Sequence, residues 1–141
     1  MKENGTKEDT EALRETLESY VRYLNEGKFE EWLSLWEEDG VQMMAFVPAV
    51  EGKEEIKKVM QPIFERYSVE LNIINIQDVL AYDDYGVTRC TYSMKLTDEN
   101  GRRAPGIPDG KTLTLYKRQP DGMWKIHYDC SNANSRKREY T

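Results

Sequence analysis

Residues Val69–Thr97, VELNIINIQDVLAYDDYGVTRCTYSMKLT, decide the fold. From Val69 to Ala81 the stretch is rich in β-branched side chains, which suit the pleated surface of a strand better than a helical turn. Tyr82-Asp83-Asp84-Tyr85-Gly86 supplies a turn. From Val87 to Thr97 the pattern alternates. Cys90, Tyr92, Met94 and Leu96 fall on one side, and Arg89, Thr91, Ser93 and Lys95 on the other. Successive side chains of a strand point to opposite faces, so this period of two predicts a strand with one apolar face.

Toward the C-terminus the same pattern repeats. Asp98-Glu99-Asn100-Gly101 is a hairpin signal, and a polar loop with Pro105 and Pro108 leads to a strand over Lys111–Arg118. Gln119-Pro120-Asp121-Gly122 turns the chain again, and Met123–Asn132 is the last strand. Toward the N-terminus the period becomes helical. Leu13, Leu17, Tyr20, Val21 and Leu24 share one face of a helix over Lys7–Asn25, stopped by Asn25-Glu26-Gly27. Phe29, Trp32, Leu33 and Trp36 share a face of a second helix over Lys28–Glu37, and Asp39-Gly40 breaks it. Val41–Phe46 reads as a strand, and residues 47–52 as a loop around Pro48. A third helix over Lys53–Tyr67 turns Ile56, Val59, Met60, Ile63 and Phe64 inward, with Pro62 expected to kink or split it.

Three helices followed by antiparallel strands predict an α+β fold. The helices should pack on the concave face of a strongly curved, mainly antiparallel sheet. Such a half-barrel is a cone, and its open end is a natural pocket for a small molecule.

The chain has 141 residues, enough for one domain and one core. We expect a disordered polar tail over residues 1–7, a domain over 8–134, and a basic tail over 135–141 that carries Arg136-Lys137-Arg138. A formal net charge of −6 argues against non-specific nucleic-acid binding, which needs Lys and Arg to displace counterions. No apolar run approaches the roughly 18 residues of a membrane span, and no apolar signal core precedes Asp9, so a cytoplasmic protein is expected. Cys90 and Cys130 form no CxxC or zinc spacing and read as small buried apolar residues. One histidine excludes a His-rich metal site, and no phosphate-binding glycine run or nucleophile elbow is present. No cofactor and no metal are expected.

Five segments carry a family resemblance. They are Tyr20–Lys28, Trp36–Val41, Val50–Ile56, Lys117–Ile126 and the ending Asp129-Cys130-Ser131-Asn132. Together, in this order and at these gaps, they resemble the SnoaL-like and ketosteroid-isomerase-like proteins of the nuclear transport factor 2-like superfamily, which has the cystatin-like fold. The resemblance spans about residues 8–134. This superfold hosts isomerases, cyclases, dehydratases and association modules, so it implies a scaffold and not one reaction.

The resemblance places Tyr20 where ketosteroid isomerases keep an oxyanion tyrosine. It places Met44 where they keep the base, and Lys111 or Thr112 where they keep a second acid. A thioether cannot abstract a proton, so classical steroid isomerisation is not expected. SnoaL-like cyclases carry an essential acid on a late strand, which implies Asp129. Tyr20 either points its hydroxyl into the cavity or is an ordinary core tyrosine.

His127 and Asp129 are two residues apart and share a face if no bulge intervenes. On a concave face they form an acid/base pair near neutral pH; on a convex face they are solvated. Trp124, Ile126 and Tyr128 alternate with them as a competing apolar set. Asn132 would bind ligand or fix the strand end. Trp32, Trp36, Met44, Phe46, Tyr92 and Met94 are expected around an apolar cavity, with plain core as the alternative.

Two functions follow. One is a domain that binds a small apolar, oxygen-bearing molecule, with possible lyase, isomerase or cyclase activity carried by Tyr20, Asp129 and His127. The other is a non-catalytic module that forms a homodimer, or docks a partner, through the sheet face of Thr88, Thr112, Thr114, Tyr116 and Tyr128.

Overall fold

A computed structural model describes residues 1–104 and 109–134. Pro105, Pro108 and the basic tail with Arg136-Lys137-Arg138 lie outside the described residues. In chain order the elements are β1 (Lys2–Asn4), α1 (Lys7–Asn25), α2 (Phe29–Leu33), β2 (Trp36–Met43), β3 (Val50–Glu51), α3 (Lys53–Arg66), β4 (Tyr67–Tyr82), β5 (Tyr85–Asp98), β6 (Asp109–Arg118) and β7 (Trp124–Ala133). The strands form one curved sheet in the order β1-β4-β5-β6-β7-β2-β3. The α+β expectation holds.

The β4–β5 hairpin is the spine of this sheet. β4 and β5 pair antiparallel from Tyr67 opposite Asp98 to Tyr82 opposite Tyr85. β6 and β7 continue the antiparallel meander. β2 then lies parallel to β7, and β1 parallel to the far end of β4.

Local chemistry explains the helices. Thr6 caps α1 by accepting the Asp9 backbone N–H at 3.1 Å, and Glu8 and Asp9 complement the positive end of the helix. Leu13, Leu17 and Leu24 face the sheet. The helix ends at Asn25, and two residues on, Gly27 turns the chain with a φ of 69°, a left-handed conformation that glycine adopts without strain. Trp32, Trp36, Leu13, Ile56 and Ile126 are fully buried between helices and sheet. No helix among the described residues is long and apolar enough to cross a membrane.

Four expectations are corrected. Residues 2–4 are not a disordered tail but an edge strand. Unpaired backbone groups at the rim of a sheet attract a further strand, and Lys2, Glu3 and Asn4 pair with Asp78, Val79 and Leu80. The Asn4 amide donates to the Ala81 carbonyl at 2.9 Å, and Glu3 pairs with Arg14. All three residues are exposed, so they carry no hydrophobic signal for pattern reading to find.

The second helix stops at Leu33, and Trp36 begins a strand. Backbone pairing with β7 overrides the helical pattern, since the Ile126 N–H donates to the Leu35 carbonyl at 2.8 Å. β2 ends at Met43, so Ala45 and Phe46 form a turn, in which Phe46 has a φ of 69°. α3 runs unbroken through Pro62. Pro62 and Lys58 both lie on the exposed side, so the carbonyl deprived of an N–H partner can turn to water.

Candidate functional site

Two strand irregularities meet at one place and decide which side chains enter the cone. On β6, Thr112, Thr114 and Tyr116 face inward, while Lys111 and Leu113 face out. On β7, Trp124 and Ile126 start on the inner face. Tyr116 pairs with Ile126, yet the next β6 residue, Leu115, pairs with Tyr128. His127 is thus an extra residue, a β-bulge, and the alternation of β7 inverts beyond it. Asp129, Ser131 and Ala133 point inward from there. β2 is irregular at the same level, where residues 37–40 bow out between the Trp36–Ile126 and Val41–Tyr128 pairs. It resumes with Gln42 directly beside Asp129.

The result is a cavity of about 330 Å³ between α1, α3 and the concave sheet. Its walls are apolar: Leu17 and Leu24 from α1, Met60 and Ile63 from α3, Leu71 and Ile73 from β4, and Met94 and Leu96 from β5. Met44, Ala45, Phe46 and Val47 form part of its lining from the turn after β2. Phe46 is 68% exposed and Val47 50%, which puts them at the solvent side.

The polar groups gather in one rung across four strands. Thr88 on β5 pairs with Thr114 on β6, Thr114 with Asp129 on β7, and Asp129 with Gln42 on β2. All four are buried. Thr114 Oγ1 donates to Asp129 Oδ1 at 2.9 Å, and the Tyr20 hydroxyl from α1 donates to Oδ2 at 3.4 Å. The Tyr116 and Thr88 hydroxyls share a hydrogen bond of 2.9 Å. Gln42 Oε1 has no partner among the described residues, and neither does the indole N–H of Trp36.

Burial dominates the acid–base behaviour. It pushes the Asp129 carboxyl up to about 6, although the Thr114 and Tyr20 hydrogen bonds pull the other way. Burial, and then the Asp129 charge, push the Tyr20 phenol well above its ordinary range. Tyr116 rises too, through burial first. A carboxyl titrating near 6 is mostly ionised at neutral pH yet takes a proton readily, which suits a general base or acid. No lining residue is Lys, Arg or His, so Asp129 has no cationic neighbour in the cavity among the described residues.

The structure brings together only part of the expected constellation. Tyr20 and Asp129 meet in the cavity, and Met44, Phe46, Tyr92 and Met94 line it. His127 does not. The bulge turns it to the outer side, where Nδ1 lies 2.6 Å from Glu37 Oε1 and 4.0 Å from Asp39 Oδ1. Glu37, Asp39 and His127 hold their donor atoms within 4.8 Å of one another, the one grouping with metal-ligand chemistry among the described residues; Asp39 is largely exposed. Asn132 is exposed on the outer face because the same bulge fixes its parity. Trp32 and Trp36 are solid core beneath the cavity and do not line it; their rings pack on each other at 5.6 Å.

The expected docking face is corrected as well. Thr88, Thr114 and Tyr116 are buried and Thr112 lines the cavity, so of that set only Tyr128 is exposed on the outer surface. Sequence reading missed Gln42 and Thr114. Thr114 was legible as the inward partner of Asp129 once the bulge was known; nothing in the sequence marked Gln42.

The SnoaL-like domain family model matches residues 17–126, more than half of the chain. The chain belongs to the SnoaL-like family. No curated protein matches it. Solved structures share the SnoaL-like, nuclear transport factor 2-like fold. A ketosteroid isomerase-like protein from Erwinia carotovora atroseptica is 21% identical with a TM-score of 0.76, over 93% of this chain and 100% of that one. A nuclear transport factor 2-like superfamily protein from Salmonella enterica is 11% identical with a TM-score of 0.79, over 94% and 95%. A nuclear transport factor 2-like protein with a cystatin-like fold from Novosphingobium aromaticivorans is 17% identical with a TM-score of 0.72, over 91% and 83%. At these identities the likeness is one of fold. In this SnoaL-like chain Met44 and Thr112 do line the cavity and Lys111 lies outside, so Asp129 is the only carboxylate there among the described residues.

Proposed function

We propose that this SnoaL-like domain binds a small apolar, oxygen-bearing molecule in the cone and moves a proton on it with Asp129. The observation that carries the reading is the position of Asp129. It is a buried carboxyl titrating near 6, joined to the Tyr20 hydroxyl, in a cavity otherwise lined mainly by apolar side chains. A base in such a place has a raised proton affinity, and once Asp129 takes up a proton the Tyr20 hydroxyl can turn its one hydrogen from the carboxyl to a ligand oxygen. The reaction class is proton abstraction beside a carbonyl, as in lyase, isomerase or cyclase chemistry. Steroid isomerisation by the known three-group set is not proposed, because Met44 replaces the base.

Deuterium exchange tests the reading without a known substrate. Compact cyclic ketones are incubated with the protein in heavy water, and NMR follows loss of the hydrogen next to the carbonyl. The expected result is exchange faster than in buffer for some ketones, and a loss of about 10²–10⁴-fold in Asp129→Asn, the size of a general-base contribution. Catalysis that survives in Asp129→Asn would overturn the assignment.

A second reading, compatible with the first, concerns the outer sheet face. Leu113 is 52% exposed and Tyr128 42%, and Tyr85 joins them on that side. We infer that a second copy of the chain covers this apolar stripe. Light scattering after size exclusion should give a dimer, and Leu113→Lys should shift it to monomer; a wild-type monomer at micromolar concentration sinks this reading.

A further inference from the structure

We propose that Gln42 is a ligand-binding residue and that, beside Asp129, it selects a neutral molecule whose buried end carries a hydroxyl group, while carboxylates and phosphates are excluded. The proposal rests on the reading that the cone is a ligand site, and deepens it.

Gln42 is 97% buried by the measure of its 3% exposure, and it lines the cavity. Its Oε1 has no hydrogen-bond partner among the described residues. A buried acceptor without a donor is destabilising, and native proteins rarely leave one without a use. The rung of polar groups makes the orphan specific. Thr88 is satisfied by Tyr116, and Thr114 donates to Asp129. Tyr20 donates to the second Asp129 oxygen. Only the Gln42 end of the rung lacks a donor, and it sits next to Asp129 across the β2–β7 ladder. A ligand hydroxyl reaching that end can donate to Oε1, while the single Tyr20 hydroxyl hydrogen stays on Asp129. A ketone accepts but has nothing to donate.

Charge sharpens the selection. A negative ligand group at the rung would stand beside the Asp129 carboxylate. The lining holds no Lys, Arg or His to compensate, and the apolar walls strengthen the repulsion. A neutral hydroxyl meets no such barrier.

Three matched probes test this: 4-tert-butylcyclohexanol, 4-tert-butylcyclohexanone and 4-tert-butylcyclohexanecarboxylate, titrated into the whole chain by NMR at mildly alkaline pH. The expected order is alcohol, then ketone, then carboxylate. The alcohol should bind about tenfold tighter than the ketone, the ratio that one net hydrogen bond supplies. The carboxylate should be at least tenfold weaker than the ketone. Gln42→Leu keeps the apolar bulk and should abolish the alcohol's advantage, with Asp129→Asn relieving the exclusion of carboxylate.

Equal binding of alcohol and ketone, or an advantage that survives Gln42→Leu, overturns the role of Gln42. Carboxylate binding as tight as alcohol overturns the charge selection. If none of the three binds, the ligand-site reading falls and this inference with it. The wild-type ranking needs no variant, so a Gln42→Leu protein that fails to fold leaves the test intact.

Discussion

Replacing Asp129 by Asn should stabilise the protein at neutral and alkaline pH while removing its proton-transfer group. The magnitude follows from the burial of one carboxyl. Its ordinary value of 3.8 rises to about 6 in the folded chain. That is about two pH units at 1.36 kcal/mol each, or roughly 3 kcal/mol between the protonated and ionised states. Between these two values the folded protein holds a proton that the unfolded chain has released. Stability therefore falls as pH rises through the window from about 4 to about 6, and is level above it. Asn is neutral throughout and fills the same space. The Thr114 donor keeps an acceptor on Asn, whereas Tyr20 must turn its hydroxyl to accept from the new amide.

The assay is urea unfolding of wild type and Asp129→Asn from about pH 4 to about pH 8, with the difference in unfolding free energy plotted against pH. Every other titrating group is common to both proteins, so differencing removes it. The difference should move in favour of the variant by about 2–3 kcal/mol across the window. A flat difference would show that Asp129 is not held in a desolvated site. A difference moving the other way would mean that a cation reaches the carboxylate. Either outcome refutes the burial argument, and with it the reason for a base poised near neutrality.

His127→Ala should leave cavity binding and deuterium exchange within about twofold of wild type, since the bulge puts the ring outside beside Glu37; loss of exchange in that variant would show the β7 parity to be wrong. Leu13→Ala empties a fully buried position and should cost about 2–5 kcal/mol in urea unfolding. Gly110→Ala should destabilise by about 1–3 kcal/mol, because the added carbon would press on the Asn132 carbonyl oxygen and lie 2.7 Å from the Tyr92 hydroxyl, and an unchanged urea midpoint would contradict that crowding. Thr6→Ala removes the α1 cap and should lower stability by about 1 kcal/mol, read as a lower midpoint with an unchanged slope.

Elements with strong internal patterns were legible. The leucines of α1, the alternation of Cys90, Tyr92, Met94 and Leu96, and the turns at Tyr82–Gly86 and Gln119–Gly122 all have local causes, and the structure keeps them. Elements that exist through pairing were not. β1 has three exposed polar residues, and its reason is the open edge of β4. Trp36 sits four residues after Trp32 as in a helix, yet its backbone opens β2 and pairs with β7.

The site divides along the same line. Tyr20 and Asp129 were nameable from sequence, as were the side chains of β5 that wall the cavity. Their meeting was not, because a strand's period of two assigns faces only while the ladder is regular. One extra residue, His127, inverts every face after it. By itself the sequence determined the helices, the meander, the family scaffold and the stock of polar groups, since these depend on local spacing and composition. The tertiary structure alone decided that Asp129 enters the cone and His127 leaves it, and that Gln42 stands unpartnered beside the acid, because bulges and strand neighbours arise from pairing between distant segments.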